Sequence, residues 1–500
     1  MAESGASDLL ARAMQGVDLS QALRPRGVVR RTADGVAEVR GLDGVAYEEL
    51  VELDSGAVGL VFDLREQSTG VLLLSAAESV RAGEGVGGTG SLPAVPVGPE
   101  TLGRIFDPLG RPLDHAGPLV TQARWPLFRD APTLLERKAV DEPLRTGVLV
   151  VDAAIPIGRG QRELIIGDRN TGKTALAEDA IVAQRPGDVA CVYVVIGQAM
   201  SRVLALRDTL ERAGALANTA IVAAEASMPP GMRYLAPYAG ASVAEWFREQ
   251  GGHALVVYDD LTKHADAYRE LSLLLDRPPG REAFPGDVFT IHAELLERAA
   301  ARRTAAGGGS VTALPLVETT ESDIAAYIPT NVISITDGQV YVDTARFARN
   351  ERPAVDIGRS VSRIGGAAQP PAMRLAARNL RILHSRFEEL ESLSRVGLEL
   401  EEGAAQEIAR GRLLRALLRQ PRLSPRDGAQ QVLAISAVAG GWLDGLPPQR
   451  APSFVEALTA RLRAEAPGIA RTLDAGALPE EGWLDRVRTL AEALRAGAAS

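Results

Sequence analysis

The stretch "LIIGDRNTGKTALAEDAI", residues 164–181, constrains the fold more than any other in this 500-residue chain. Gly167, Asp168, Arg169, Asn170, Thr171, Gly172, Lys173 and Thr174 fit the spacing GxxxxGK[ST], between an apolar run ending at Ile166 and a helical pattern over 175–182. Strand, glycine loop and helix in that order are what a phosphate cradle demands. Glycines let backbone N–H groups close on phosphate oxygens, and the helix N-terminus adds a favourable dipole. Lys173 is placed to reach the β- and γ-phosphates, and the Thr174 hydroxyl to coordinate Mg²⁺.

A second element supports the first. "HALVVYDDL" is an apolar strand ending in Asp259 and Asp260, and the first of these acids is expected to hold the magnesium through its water shell. Between about 95 and 370, runs such as "RELIIG", "VACVYVVIG", "TAIVAAEA", "HALVVYDD", "SVTALPLVE" and "NVISITDG" alternate with helical segments. Near-continuous Val/Ile/Leu strands separated by helices predict a parallel sheet covered on both faces.

The flanks have other textures. From about 26 to 92, short β-type runs alternate with Asp-Gly, Asp-Ser-Gly and Ser-Thr-Gly turns, which predicts a small closed or sandwiched β domain. "GVGGTG", residues 85–90, formally matches GxGxxG but opens no helix, and reads as a turn and linker. Past "AAQPPAM", Leu380, Leu383, Phe387, Leu390 and Leu393 recur at steps of three and four, as do Leu484, Val487, Leu490 and Leu494, which predicts packed helices. The division is a tail over 1–25 with an amphipathic turn at Leu9, Leu10 and Met14, a β domain over 26–93, a nucleotide-binding domain over 94–372 and a helical domain over 373–500.

Bulk properties exclude several classes. Aromatic residues are 4% of the chain, so Leu, Val, Ile and Ala must build the core. A formal charge of −9 argues against a nucleic-acid backbone as the main partner. Cys191 lies in an apolar run and reads as a small buried hydrophobe, and His115, His253, His264, His292 and His384 show no transition-metal spacing. The N-terminus is acidic where a secretory signal is basic, and no window approaches the ~18 apolar residues of a membrane span. A cytosolic chain, or one held at a membrane only through partners, is expected.

Four strings together resemble the α subunit of the F-type ATP synthase: "PIGRGQRELIIGDRNTGKTALAEDAI", "LAPYAGASVAEWFREQGGHALVVYDDLTKHADAYRELSLLLDRPPGREAFPGDVF", "YIPTNVISITDGQVYVDT" and "RPAVDIGRSVSRIGGAAQ". The resemblance implies a multidomain α/β chain: an N-terminal β-barrel, a central P-loop (RecA-like) parallel-sheet domain and a C-terminal helical bundle. It implies Mg-ATP (or Mg-ADP) as cofactor. Three copies would alternate with three catalytic β subunits around a central-stalk γ subunit, with a peripheral-stalk or δ subunit attached. The location implied is the cytoplasmic face of the bacterial cell membrane, reached only through an ion-translocating sector.

It also assigns residues. Catalytic relatives carry a glutamate after the strand that follows the P-loop helix, where "VVIGQAMSRV" has Gln198. A neutral amide cannot take a proton from water, so the site is expected to bind Mg-nucleotide and turn it over poorly. "SVSRIGGAAQ" matches the segment whose arginine enters the neighbouring β site; this assigns Arg363, with Ser360 and Ser362 beside it, to catalysis in trans. A guanidinium on the developing γ-phosphoryl charge contributes roughly 10³–10⁵ in rate. Arg352, Arg169, Asn170 and Gln420 match positions near phosphate or adenine. Departures are Asn170 for the family's Gln, Ala199-Met200 for its Lys-Arg, Arg422 for a second adenine-proximal Gln, and "SLSRVGLELEEG" near the rotor. Two other classes stay in view: a self-sufficient hexameric motor (a Rho-like helicase or secretion ATPase), and a nucleotide-sensing module without a rotary partner.

Overall fold

Alternating apolar residues and glycine-containing turns produce six short strands in the computed structural model: β1 (Arg26–Ala33), β2 (Val36–Arg40), β3 (Leu50–Leu53), β4 (Val58–Leu64), β5 (Thr69–Leu73) and β6 (Gly85–Gly88). The structure describes residues 24–185, 187–395 and 402–499; Leu9, Leu10 and Met14 lie outside these, as does the centre of "SLSRVGLELEEG". The strands pair antiparallel in the order β1-β2-β5-β4-β3-β6, and β6 returns to β1 to close a barrel. Every second residue points inward, so Val29, Val39, Val51, Val61, Val71 and Val86 fill the interior. Leu60, Phe62 and Leu72 face the other way and join the core of the next layer, with Phe62 edge-on to Tyr234 at 5.3 Å between ring centres.

"GVGGTG" differs from its expected role. Its first four residues are β6 itself, paired to both β1 and β3. A Cβ at Gly88 would stand 2.8 Å from Glu49 Oε1, and one at Gly85 would collide with the Asp54 carboxylate. Glycine is used here for close approach within a strand.

The central region begins with β7 (Ala94–Val97), β8 (Ile105–Phe106) and β9 (Ala123–Pro126), of which β7 and β9 pair antiparallel. A second small pair, β10 (Pro143–Leu144) and β11 (Ile157–Gly158), encloses helix α1 (Leu149–Ala154). Then follow β12 (Glu163–Asp168), α2 (Lys173–Val182), β13 (Val189–Gln198), α3 (Met200–Arg212), β14 (Thr219–Glu225), α4 (Pro230–Glu249) and β15 (His253–Asp259). The region continues through α5 (Leu261–Leu274), α6 (Val288–Glu297), β16 (Ser310–Thr319), α7 (Tyr327–Ile335), β17 (Gly338–Val342), α8 (Thr344–Ala348) and β18 (Val361–Ser362).

One sheet runs β18-β17-β12-β16-β15-β13-β14-β8, parallel throughout except for β18. β13 shows why such a sheet needs cover on both sides. Cys191, Tyr193 and Val195 enter one hydrophobic core, whereas Val192, Val194 and Ile196 enter the other. Burial pushes the Cys191 thiol up to about 12, as for an inert core residue.

"NVISITDG", expected as a strand, belongs mostly to α7. Ile328, Val332 and Ile335 are buried at helical spacing, and Pro329 sits in the first turn, where a missing N–H removes no intrahelical bond. The strand comes afterwards, as β17.

Beyond residue 370 the chain is helical: α9 (Pro371–Ala376), α10 (Leu380–Arg395), α11 (Glu402–Leu418), α12 (Gly428–Ala439), α13 (Ala451–Glu465), α14 (Pro467–Asp474) and α15 (Trp483–Ala499). Asp427 and Gln430 form a capping box that starts α12, which is buried along most of its length. Leu413, Leu433 and Leu458 lie in the same core as Ile165 and Ala177 around the phosphate loop. In α10 the predicted apolar face is used only in part: Leu380 and Phe387 are buried, but Leu393 is 44% exposed.

Candidate functional site

The phosphate loop leaves the C-terminal end of β12 at Asp168. Gly167 has no room for a side chain, since a Cβ there would collide with the Val342 carbonyl of β17. Gly172, at φ 104°, starts α2 from the left-handed region. Asn170 also has positive φ, at 61°, a conformation this residue type tolerates better than most. Arg169 and Asn170 are exposed at the tip, and Thr171 Oγ1 donates to the Asp168 carbonyl at 2.7 Å to tighten the loop.

Asp168 plays a different part from its neighbours. Its carboxylate accepts from Thr319 Oγ1 (2.6 Å), Ser322 N (2.8 Å), Ser322 Oγ (2.9 Å) and Thr344 Oγ1 (2.8 Å). Burial raises its pKa, but these donors outweigh it and hold the carboxyl below its usual range. An ionised side chain saturated in this way buttresses the loop and would repel a phosphate. Only the Asp168 backbone is available to a nucleotide.

Inside the loop lies Lys173, 6% exposed, whose Nζ donates to the carbonyls of Gly167 (2.8 Å) and Asp168 (2.7 Å). Burial lowers its pKa, against the pull of Glu318, Asp260, Asp259 and Asp168. Thr174 Oγ1 donates to Asp259 Oδ2 at 3.2 Å, and Tyr193 OH donates to the same oxygen at 2.7 Å. A hydroxyl beside a carboxylate is a hard-oxygen donor set, and it fits a magnesium ion at the mouth of a phosphate cradle. Gln198, half-buried at the end of β13, donates through Nε2 to the Asp259 carbonyl at 3.2 Å. Asp260 is committed elsewhere. It caps α5 by accepting from Lys263 N (2.9 Å) and pairs with Lys263 Nζ (2.7 Å); burial pushes its carboxyl up to about 6.

A wall on the other side of α2 comes from the end of the central region and from the helical region. Arg352 stacks on Phe347 at 4.7 Å, and Phe347 lies 4.0 Å from where a Gly172 Cβ would be. The Arg352 carbonyl accepts from Gln420 N at 2.9 Å. Gln420 lies close by, but its amide is taken by backbone: Oε1 accepts from Leu149 N (3.1 Å), and Nε2 donates to the Gly147 (2.7 Å) and Ser424 (2.8 Å) carbonyls. It therefore holds the 420–424 loop in place. Arg422 pairs with buried Glu178 of α2, and Leu423 N donates to Asp179 Oδ1 at 2.6 Å. Burial raises both acids, Asp179 to about 6. Sequence reasoning missed Glu178, Asp179, Tyr193 and Phe347. Two adjacent acids inside an apolar helix were the available signal, since buried carboxyls require partners.

Arg363 does not join this site. It follows β18, whose Ser362 pairs with Gly338 at the start of β17, and Gly338 in turn pairs with Glu163 at the start of β12. The phosphate loop leaves the opposite end of β12, so about five residues, or roughly 17 Å of strand, separate the two places. Arg363 is exposed and donates to the Thr336 carbonyl at 3.1 Å. The two serines, expected beside it as groups offered to a neighbour, are turned into the fold. Ser360 is fully buried and its hydroxyl accepts from Tyr341 N at 2.9 Å, while Ser362 Oγ donates to the Pro156 carbonyl at 2.8 Å. A hydroxyl without exposure cannot touch another chain, so Ser360 is corrected to a supporting role.

Residues 147–362 match the ATP synthase alpha/beta family, nucleotide-binding domain, and residues 369–493 match the ATP synthase alpha/beta chain, C terminal domain. ATP synthase subunit alpha 2 of Burkholderia pseudomallei (strain 1710b) is 49% identical over 485 residues, covering 97% of this chain and 72% of that protein. Subunit alpha 2 of Burkholderia thailandensis is 50% identical over 452 residues, 89% of this chain and 81% of that one. ATP synthase subunit alpha of Aquifex aeolicus (strain VF5) is 48% identical over 447 residues, 89% of each chain.

Proposed function

Because the chain belongs to the ATP synthase alpha/beta family and goes with its alpha subunits, we propose that it is the non-catalytic, regulatory alpha subunit of a rotary F-type ATP synthase. It binds Mg-ATP (or Mg-ADP) at its own phosphate loop and lends Arg363 to the catalytic site of an adjacent beta subunit. Three such pairs form a ring around a central-stalk gamma subunit, held by a peripheral-stalk or delta subunit. ATP synthesis or hydrolysis is thereby coupled to transport of H⁺ or Na⁺. No helix among the described residues is long and apolar enough to cross a membrane, and we place the chain on the cytoplasmic face of the bacterial cell membrane, attached through the ion-translocating sector. Nucleic acid plays no part in this reading.

One observation carries the non-catalytic assignment: the group beside Thr174 and Asp259 is the amide of Gln198. Hydrolysis needs a residue that orients and polarises the attacking water. A glutamine can orient water, but its neutral amide cannot take the proton, and here one amide N–H is turned to the Asp259 carbonyl. Asp260 is no substitute base, because Lys263 takes both of its oxygens. When bound, Mg²⁺ supplies charge neutralisation between the terminal phosphates. The chain's own residues supply the cradle (backbone of 167–174), the Lys173 cation, the Thr174 hydroxyl and the Asp259 carboxylate.

For Arg363, the support is its separation from its own loop and its exposure at the edge of the sheet. The purified single chain is expected to bind Mg-ATP with negligible phosphate release. Brisk release that depends on Lys173 would overturn the assignment in favour of a self-sufficient hexameric motor.

A further inference from the structure

Arg363 stands on an exposed turn after a two-residue strand, a poor mount for a side chain that must meet a transition state in another chain. Its local holds are few. Its backbone N–H donates to the Asp337 carbonyl at 2.8 Å, and its guanidinium to that of Thr336 at 3.1 Å.

Beneath the turn lies a buried polar chain. Gln161 is fully buried: its Oε1 accepts from Gly158 N at 2.8 Å, and its Nε2 donates to Glu163 Oε2 at 2.7 Å and towards Ser362 Oγ at 3.4 Å. Ser362 Oγ also accepts from Gly365 N at 3.1 Å, closing the turn that carries Arg363. Between Glu163 and Ser362 lies Gly338, where a Cβ would collide with the Val361 carbonyl and stand 2.5 Å from Glu163 Oε2. The missing side chain lets the carboxyl lie across the strand. On the other flank Arg162 grips Asp337 through N (3.0 Å), Nε (3.1 Å) and a terminal nitrogen (2.8 Å), which fixes the two carbonyls that hold Arg363.

Glu163 is a poor choice for stability alone. It is fully buried and its Oε1 has no hydrogen-bond partner among the described residues. Burial pushes its carboxyl well above the ordinary range; the Gln161 hydrogen bond opposes this, Asp337 adds to it, and Arg363 and Arg381 pull back. A leucine would fill similar space without an unmet buried oxygen.

We propose that Gln161 and Glu163, at the entry of β12, are positioning residues for Arg363, acting through Ser362 and the turn 362–365. This rests on the reading of Arg363 as a group supplied to a neighbouring site. The strand that cradles this chain's own nucleotide at its exit thereby aims the donated cation at its entrance.

The test uses the complex assembled with its catalytic neighbours. Glu163→Leu is expected to lower kcat for ATP hydrolysis on the order of 10²-fold with KM little changed, the signature of a displaced transition-state group. Glu163→Gln keeps an oxygen for the Gln161 amide and is expected to retain most of the rate. Combined with Arg363→Ala, Glu163→Leu should add no further loss. Should Glu163→Leu not assemble, Ser362→Ala at the half-buried turn is expected to give the same kcat-only loss, smaller in size. Parent-like kcat in the assembling variants, full additivity with Arg363→Ala, or a Glu163→Gln as slow as Glu163→Leu would overturn the positioning role and leave the donated cation intact. Parent-like kcat in Arg363→Ala alone would instead remove the reading beneath it.

Discussion

Replacing Lys173 with alanine should weaken binding of nucleotide phosphates to the single chain by an amount the structure lets one work out. Without nucleotide, the ammonium donates to the Gly167 and Asp168 carbonyls at 2.8 and 2.7 Å. To meet a phosphate it must give these up. An ammonium and a phosphate charge about 4 Å apart attract by about 4 kcal/mol at an effective dielectric near 20. Surrendering two hydrogen bonds from a charged donor takes back about 1.5 kcal/mol each. The net is about 1 kcal/mol, or roughly 5-fold in Kd. Solvent does little to screen it, because Lys173 is 6% exposed. The measurement is isothermal titration of the lone chain with Mg-ATP, Mg-ADP and AMP, for the parent and Lys173→Ala. ATP and ADP should weaken, while AMP, lacking the phosphates this residue reaches, should not. Equal ATP affinities for parent and variant, or an AMP loss as large as the ATP loss, would refute the reasoning.

Arg363→Ala should leave the lone chain's nucleotide affinity and thermal midpoint almost unchanged, because the residue is exposed and remote from the phosphate loop. In the assembled complex it should cut turnover by roughly 10³–10⁵, so an unchanged steady-state ATPase would refute its role. A third expectation concerns His264 and His292, buried in contact at 3.2 Å. Burial lowers both from 6.5, His264 (helped by His292) to about 3 and His292 to about 4. The unfolded chain therefore takes up protons that the folded one refuses, and stability present above pH 6.5 is lost as pH falls towards 4. Each ring accounts for about 1.4 kcal/mol per pH unit in that window. Urea midpoints at pH 7 and 5 should fall less in a His264→Phe/His292→Leu variant than in the parent; an equal fall would count against the account.

What could be read in the chain, and what could not, divides along the range of the forces involved. The phosphate loop was legible because its demands are local: a buried run for β12, glycines where backbone must close on phosphate, and a helix that begins at once. The parallel sheet was legible for a similar reason, since strands covered on both faces lose their polar alternation, as β13 does. Short runs were not. "NVISITDG" is apolar and β-branched, yet residues around it form a helix, because eight residues do not distinguish the two periods. "GVGGTG" has the composition of a loop, and only in the folded barrel do Asp54 and Glu49, brought in from elsewhere, crowd the places where side chains on Gly85 and Gly88 would stand.

The site divides in the same way. Residue types and their spacing picked out Lys173, Thr174 and Asp259 as candidates, and the family resemblance singled out Gln198. No local rule says where a polar atom points. Asp168 proved to face Thr319, Ser322 and Thr344, Gln420 to face backbone, and Ser360 to be sealed inside. Those partners lie far along the chain and meet only through strand register and helix packing. The sequence by itself determined that this chain carries a phosphate cradle with an amide at its flank. The tertiary structure decided that Arg363 stands at the far end of the same strand, because two strand pairings, Glu163 with Gly338 and Gly338 with Ser362, set that distance.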